Sequence, residues 1–158
     1  MKATTILGLD FGERRIGVAL SDTGKTLATG LTTLDCRANP DYLSALGEII
    51  RDEDVEAIVV GYPLRTDGKS VEGAKTEAVD AFIARLESRF GLPVHREDES
   101  FTSQMAAQSL RARSKQKRRG GGPGKSGRNR RARDKAEIDR VAACYILQDF
   151  LDHNPAAR

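Results

Sequence analysis

The apolar pattern of this chain changes period near residue 39, and that change limits the folds open to it. Before it, apolar segments at 6–9, 16–21 and 26–34 are separated by tight turns, which predicts three antiparallel strands. After it, helical spacing alternates with apolar runs at 55–61 and 93–97, an order typical of parallel strands. The sequence therefore predicts an α/β fold with a five-stranded mixed sheet, three antiparallel strands followed by parallel strands, flanked by helices.

The expected helices and ends follow from capping residues, glycines and prolines. The predicted helices span about residues 39–52, 72–90, 102–113 and 134–152. Asp134 and Glu137 have the spacing of a capping box, which places the start of the last helix at Asp134. We expect one domain over residues 1–152 and a frayed tail over 153–158.

Acidic residues follow the strand ends that this fold would bring together. Asp10 ends the first strand, and Asp98 and Glu99 end the fifth. Because the carboxyl ends of parallel strands lie at one edge of a sheet, these acids are expected to be neighbours. The last helix carries Asp139, and the small residues that follow it (142–143, both Ala) would let that helix pack close to the sheet.

A cluster of Asp10, Glu99 and Asp139, with Asp98 as the alternative to Glu99, would repel itself unless a cation were present. Oxygen ligands without Cys or His favour Mg²⁺ or Mn²⁺, and two such ions would suit displacement at a phosphodiester. Each acid also has an ordinary explanation, such as a turn, an exposed loop or a helix N-terminus. Their coincidence at one predicted edge favours the metal site.

Basic residues are concentrated in one segment. Between Arg111 and Lys135 there are twelve Lys or Arg and one acid, whereas the rest of the chain holds fourteen basic and twenty-two acidic residues. With Gly120–Gly122 inside it, this composition predicts a mobile loop at about 114–133 that contacts nucleic acid, although a merely solubilising loop is the alternative. The candidate nucleic-acid-binding residues are Arg111, Arg113, Lys115, Lys117, Arg118, Arg119, Lys125, Arg128, Arg130, Arg131 and Arg133.

The expected cellular compartment is inferred from the cysteine pattern and from the length of the apolar segments. Cys36 and Cys144 are far apart and form no CxxC spacing, which argues against a zinc motif or a disulfide framework and favours a reducing cytoplasm. No apolar run approaches the ~20 residues that span a bilayer, so we expect no membrane segment.

Four motifs, in the order in which they occur along the chain, resemble those of the YqgF family, also called RuvX. Members of this family are small bacterial proteins of the ribonuclease H-like fold. The four motifs are Ile6–Gly12 with Arg15–Ala19, Val59–Leu64, Asp98–Ser103, and Ile138–Ala143. The resemblance implies a metal-dependent nuclease that trims the 5′ end of precursor 16S rRNA or, in some members, cleaves Holliday junctions. It assigns metal binding to the same three acids. Ser100 departs from the family pattern, which usually has Arg there.

Two other classes of protein compete with this interpretation. The Asp10–Gly12 stretch before a hairpin also resembles the first phosphate motif of actin-like and sugar-kinase ATPases, but those need two lobes and this chain has the length of one. The basic segment alone would also support a non-catalytic rRNA- or DNA-binding module. The expected partner is structured RNA or branched DNA, bound by a monomer or a homodimer.

Overall fold

The computed structural model describes residues 2–63, 73–99 and 127–157. Its strands are β1 (Thr5–Phe11), β2 (Arg15–Ser21), β3 (Ala28–Asp35), β4 (Val55–Tyr62) and β5 (Val94–Asp98). Its helices are α1 (Tyr42–Asp52), α2 (Ala74–Phe90) and α3 (Gly127–His153), followed by a 3₁₀ turn at Pro155–Ala157.

The five strands form one mixed sheet in the order β3-β2-β1-β4-β5. The first three strands pair antiparallel through short turns, and β1, β4 and β5 are parallel neighbours. The predicted fold class is therefore confirmed. The carboxyl ends of the three parallel strands meet at one edge, as the alternation of strands and helices requires.

Alternate residues of each strand point to opposite faces of the sheet. On one face, Leu7 and Leu9 belong to a core that includes buried residues of α1 and α2. On the other face, Ile6 belongs to a second core built mainly with α3. Asp10 has the same parity as Ile6, so it lies on the α3 face.

Helix α3 rests almost directly on the backbone of the sheet. A Cβ built on Gly17 would lie 1.9 Å from the carbonyl oxygen of Asp139, and one built on Gly8 would lie 2.6 Å from Cβ of Leu147. Ala142 and Ala143 are fully buried at this contact. The predicted close packing of the last helix is confirmed, and glycines on the sheet contribute as much to it as alanines on the helix.

The predicted start of the last helix is wrong. The helix begins at Gly127, so residues 127–133 are helical and not part of a loop, and Asp134 and Glu137 lie inside the helix instead of forming a capping box. The reason is that Arg, Lys and Ala are good helix formers, and residues 128–136 contain neither Gly nor Pro. The density of positive charge in this segment was therefore not evidence for a loop at residues 127–133.

Over residues 153–157, the predicted tail consists of the end of α3 and a 3₁₀ turn. The backbone N–H and the side-chain amide of Asn154 both donate to the carbonyl of Phe150, at 3.0 and 2.9 Å, and so end α3. A 3₁₀ turn follows, in which Ala157 packs against the second core. Asn154 and Ala157 are thus held by capping bonds and by apolar contact, respectively.

Several predictions lie outside the described residues. These are the helix at 102–113, Ser100, and the part of the basic segment at 114–126. The extent of the domain, 1–152, stays a prediction. Within the described ranges, no helix combines the length and the hydropathy that crossing a bilayer requires.

Candidate active site

Asp10 and Asp139 are brought together by the contact between α3 and β2. Asp10 pairs with Gly17 across the antiparallel β1–β2 ladder. Gly17 is also the residue on which the backbone of Asp139 rests. Two residues that are remote in sequence therefore share one neighbour, and the missing side chain at Gly17 makes their approach possible.

Glu99 reaches the same place from β5. Its backbone N–H donates to the carbonyl of Tyr62 at 3.2 Å, which continues the parallel β4–β5 pairing past the end of the strand. A Cβ on Gly61 would lie 3.1 Å from Oε2 of Glu99, so the absence of a side chain there leaves room for the carboxylate. Glu99 is only 9% exposed, whereas Asp98 is exposed.

The electrostatics of Asp10 show that the three carboxyl groups are close. Asp10 lies among densely packed atoms yet keeps some contact with solvent. The pKa of Asp10 is raised to about 8, first by burial and then by the charges of Glu99 and Asp139 and a hydrogen bond with Glu99. Of the two adjacent acids left open by the sequence, Glu99 is the one beside Asp10.

Two basic side chains partly neutralise this group of acids. Arg15 Nε donates to Oδ2 of Asp139 at 2.8 Å, and both side chains are about a quarter exposed. Lys75 Nζ lies 2.8 Å from Oε1 of Glu99. Within the described ranges, no three His, Cys, Asp or Glu side chains stand in the arrangement of a formed metal site. The donor set nevertheless suits a hard cation, since it consists of carboxylate oxygens that repel one another.

The predicted nucleic-acid-binding residues are only partly described. Arg111 through Lys125 lie outside the described residues, and Arg128 is described only as part of the helical backbone. Arg130, Arg131 and Arg133 are exposed on the first turns of α3, the same helix that carries Asp139. The structure thus links part of the basic segment rigidly to the candidate site.

Comparison with known proteins decides the family. A model of the RuvX family, described as a Holliday junction resolvase, matches residues 4–153. The chain belongs to the RuvX family. Two relatives carry the name "Putative pre-16S rRNA nuclease". The one from Syntrophus aciditrophicus is 42% identical and covers 93% of this chain and 87% of its own length. The one from Moorella thermoacetica is 41% identical and covers 93% and 94%.

Solved structures agree on the fold of this RuvX family member. T. thermophilus RuvC in complex with a Holliday junction substrate aligns over 96% of both chains with a TM-score of 0.50 and 13% identity. A Fowlpox virus resolvase with Holliday junction DNA aligns over 95% of this chain and 98% of its own, with a TM-score of 0.52 and 10% identity. These likenesses show a ribonuclease H-like fold. The names of the family and of its relatives indicate a nuclease, which is a phosphodiester hydrolase.

Sequence reasoning did not find the two basic partners of the acids in this RuvX chain. Arg15 falls inside the first family motif, but its partner Asp139 is 124 residues away, and no spacing rule connects them. Lys75 lies at the start of α2 and looks like any surface lysine. Only the folded arrangement assigns them to the site.

If Asp139 holds a metal ion, we expect Arg15→Ala to lower the rate of cleavage by about 10- to 100-fold, the usual effect of removing a residue that orients a metal ligand. Arg15 fixes Asp139 through a bond to one carboxylate oxygen, and without that bond the Asp139 side chain can rotate. The measurement is kcat with saturating Mn²⁺. Arg14→Ala, at the neighbouring exposed position, is the control and is expected to keep kcat near wild type. Equal rates for the two variants would contradict an orienting role.

Proposed function

We propose that this chain is a metal-dependent endonuclease that acts at the 5′ end of precursor 16S rRNA during ribosome biogenesis. The observation that carries the proposal is the convergence of Asp10, Glu99 and Asp139 from three separate segments, close enough for the other two acids to raise the pKa of Asp10. The names of the curated relatives support the choice of substrate.

Asp10, Glu99 and Asp139 would hold Mg²⁺ or Mn²⁺, and we propose two ions. The bound metal would activate water and stabilise the leaving oxygen of the phosphodiester. Burial and the charges of Glu99 and Asp139 raise the pKa of Asp10, and a cation among these acids would oppose both effects. The carboxylates therefore have a reason to bind metal that is independent of the reaction.

The residues around the acids fix their positions. Arg15 holds Asp139 from β2, and the contact of α3 with Gly17 sets how far Asp139 stands from Asp10. Glu99 is held by its backbone bond to Tyr62. Because each acid is anchored to the sheet or to a helix packed on it, the group is ordered before substrate arrives.

Exposed arginines on α3 would bind the phosphate backbone. We expect the triple variant Arg130→Gln, Arg131→Gln and Arg133→Gln to bind nucleic acid more weakly than wild type. The negative slope of log K against log salt should become shallower by about 1 for each phosphate that the variant no longer neutralises. Fluorescence anisotropy over a range of salt concentrations measures both quantities. The double variant Arg85→Gln and Arg89→Gln, on α2 at the opposite face of the sheet, is the control. An unchanged slope in the triple variant would remove these arginines from the interface.

A second candidate function is cleavage of Holliday junctions in DNA recombination and repair. The description of the matching family model and the two resolvases that share the fold favour it. A junction resolvase must cut two strands, so this function would require two active sites and a homodimer, whereas a monomer suffices for rRNA trimming.

One experiment tests the function and separates the two substrates. Wild type and Asp139→Asn are incubated with Mn²⁺ and either precursor 16S rRNA or a four-way DNA junction, with Asp152→Asn, an exposed acid on the same helix, as the control. We expect wild type and the control to cut precursor rRNA, and Asp139→Asn to leave it intact. Preferential cutting of the junction would select the resolvase. Binding without any cutting by wild type would identify a non-catalytic rRNA- or DNA-binding module.

A further inference from the structure

Lys75 is an exposed charged residue that contacts one acid of the candidate site. Its side chain is 68% exposed, yet its ammonium lies 2.8 Å from Oε1 of the buried Glu99. Its positive charge also acts on Asp10, where it opposes the effects of burial and of the neighbouring carboxylates. Lys75 therefore lies between solvent and two of the three acids.

Lys75 and Arg15 differ in how freely their side chains can leave the acids that they contact. Arg15 extends from a central strand and is mostly enclosed, so it stays with Asp139. Lys75 extends from the first turn of α2, carries its charge on a flexible stem and is open to solvent. Its ammonium is already largely hydrated, so it can leave Glu99 once another cation neutralises that buried carboxylate.

We propose that Lys75 is a built-in counter-ion that leaves Glu99 when a divalent cation enters and then binds a backbone phosphate of the nucleic acid. This inference rests on the proposed function. A divalent cation that binds Glu99 takes over the charge that Lys75 was neutralising, and it repels the ammonium. The ammonium, which is open to solvent, can then pair with a phosphate of the substrate backbone. Lys75 thus competes with the metal in the free protein and assists substrate binding in the loaded one.

The two roles predict opposite effects of one substitution. Lys75→Gln should bind Mn²⁺ about threefold to tenfold more tightly than wild type, since the competing charge is gone. The same variant should raise KM by about threefold to tenfold with little change in kcat, because an exposed phosphate contact contributes to substrate and transition state alike. Lys75→Arg, which keeps the charge, should stay near wild type in both measurements.

Isothermal titration of the full chain with Mn²⁺ alone gives the first value, and steady-state cleavage gives the second. Lys2→Gln is the control, because Lys2 is similarly exposed and pairs with Asp54 at the opposite end of the sheet. Unchanged Mn²⁺ affinity, weaker Mn²⁺ binding or an unchanged KM in Lys75→Gln would each overturn the proposal while a cleaving wild type kept the proposed function intact. A wild type that neither bound Mn²⁺ nor cut would overturn both.

Discussion

Asp10→Asn is expected to reduce cleavage on the order of 10³-fold or more while leaving nucleic-acid affinity within about twofold of wild type. Asp10 lies beside both Glu99 and Asp139, so an amide at this position removes the central ligand of the proposed metal site. Affinity should be preserved because the proposed phosphate contacts come from basic residues elsewhere. Single-turnover cleavage with Mn²⁺ and anisotropy on the same substrate check the two halves of the result.

The same variant should be more stable than wild type without metal, and the difference should depend on pH. The folded state holds the pKa of Asp10 near 8, whereas the ordinary value is 3.8. Between these values the folded protein keeps a proton that the unfolded chain releases. The stability of metal-free wild type is therefore intact below about pH 4, and it falls until the pH passes the folded pKa.

The amide that Asp10→Asn introduces does not titrate, so the variant is spared this decrease in stability. We expect its free energy of unfolding in EDTA at pH 8 to exceed that of wild type by on the order of 5 kcal/mol, and the difference to shrink toward pH 4. Urea denaturation at both pH values measures it. Asp52→Asn, an exposed position on α1, is the control and should show no such trend. A variant less stable than wild type at pH 8 would mean that Asp10 supports the turn after β1 and is not a repelled site residue.

Gly17→Ala should be the most destabilising small substitution on the α3 face. The added Cβ would lie 1.9 Å from the carbonyl oxygen of Asp139 and 2.3 Å from its carbon, and both are backbone atoms that cannot rotate away. The whole helix must move, so we expect the free energy of unfolding to fall by about 3 kcal/mol or more. Cleavage should fall as well, because the displaced segment carries Asp139.

Gly24→Ala is the matched control for this substitution. Gly24 lies in the turn between β2 and β3, and the nearest atom to its added Cβ is 3.6 Å away. We expect it to change stability by less than about 0.5 kcal/mol, as surface substitutions usually do. Urea denaturation compares the two variants, and cleavage is measured where both are fully folded. A Gly17→Ala protein as stable and active as Gly24→Ala would mean that α3 does not rest on this strand.

The sheet and the meeting of strand-end acids at one edge could be predicted because the strand signals are local. The change in apolar period separated the antiparallel strands from the parallel ones, and Asp10 and Glu99 followed strand ends that topology brings to one edge. The start of α3 could not be predicted from charge, because the arginines that suggested a loop are also helix formers. The choice between Asp98 and Glu99 depended on which side chain turns inward past the end of β5, and sequence carries no signal for that.

The exposed N-terminal part of α3, residues 129–135, is continuous with the part that carries Asp139 and packs on the sheet. Arg130 is nine residues before Asp139, which at 1.5 Å per residue separates them by about 13 Å along a single rod. Because the helix is continuous, a ligand bound near Arg130 would be held at a fixed distance from the acids. A force applied at that end of the helix would then act on the position of Asp139.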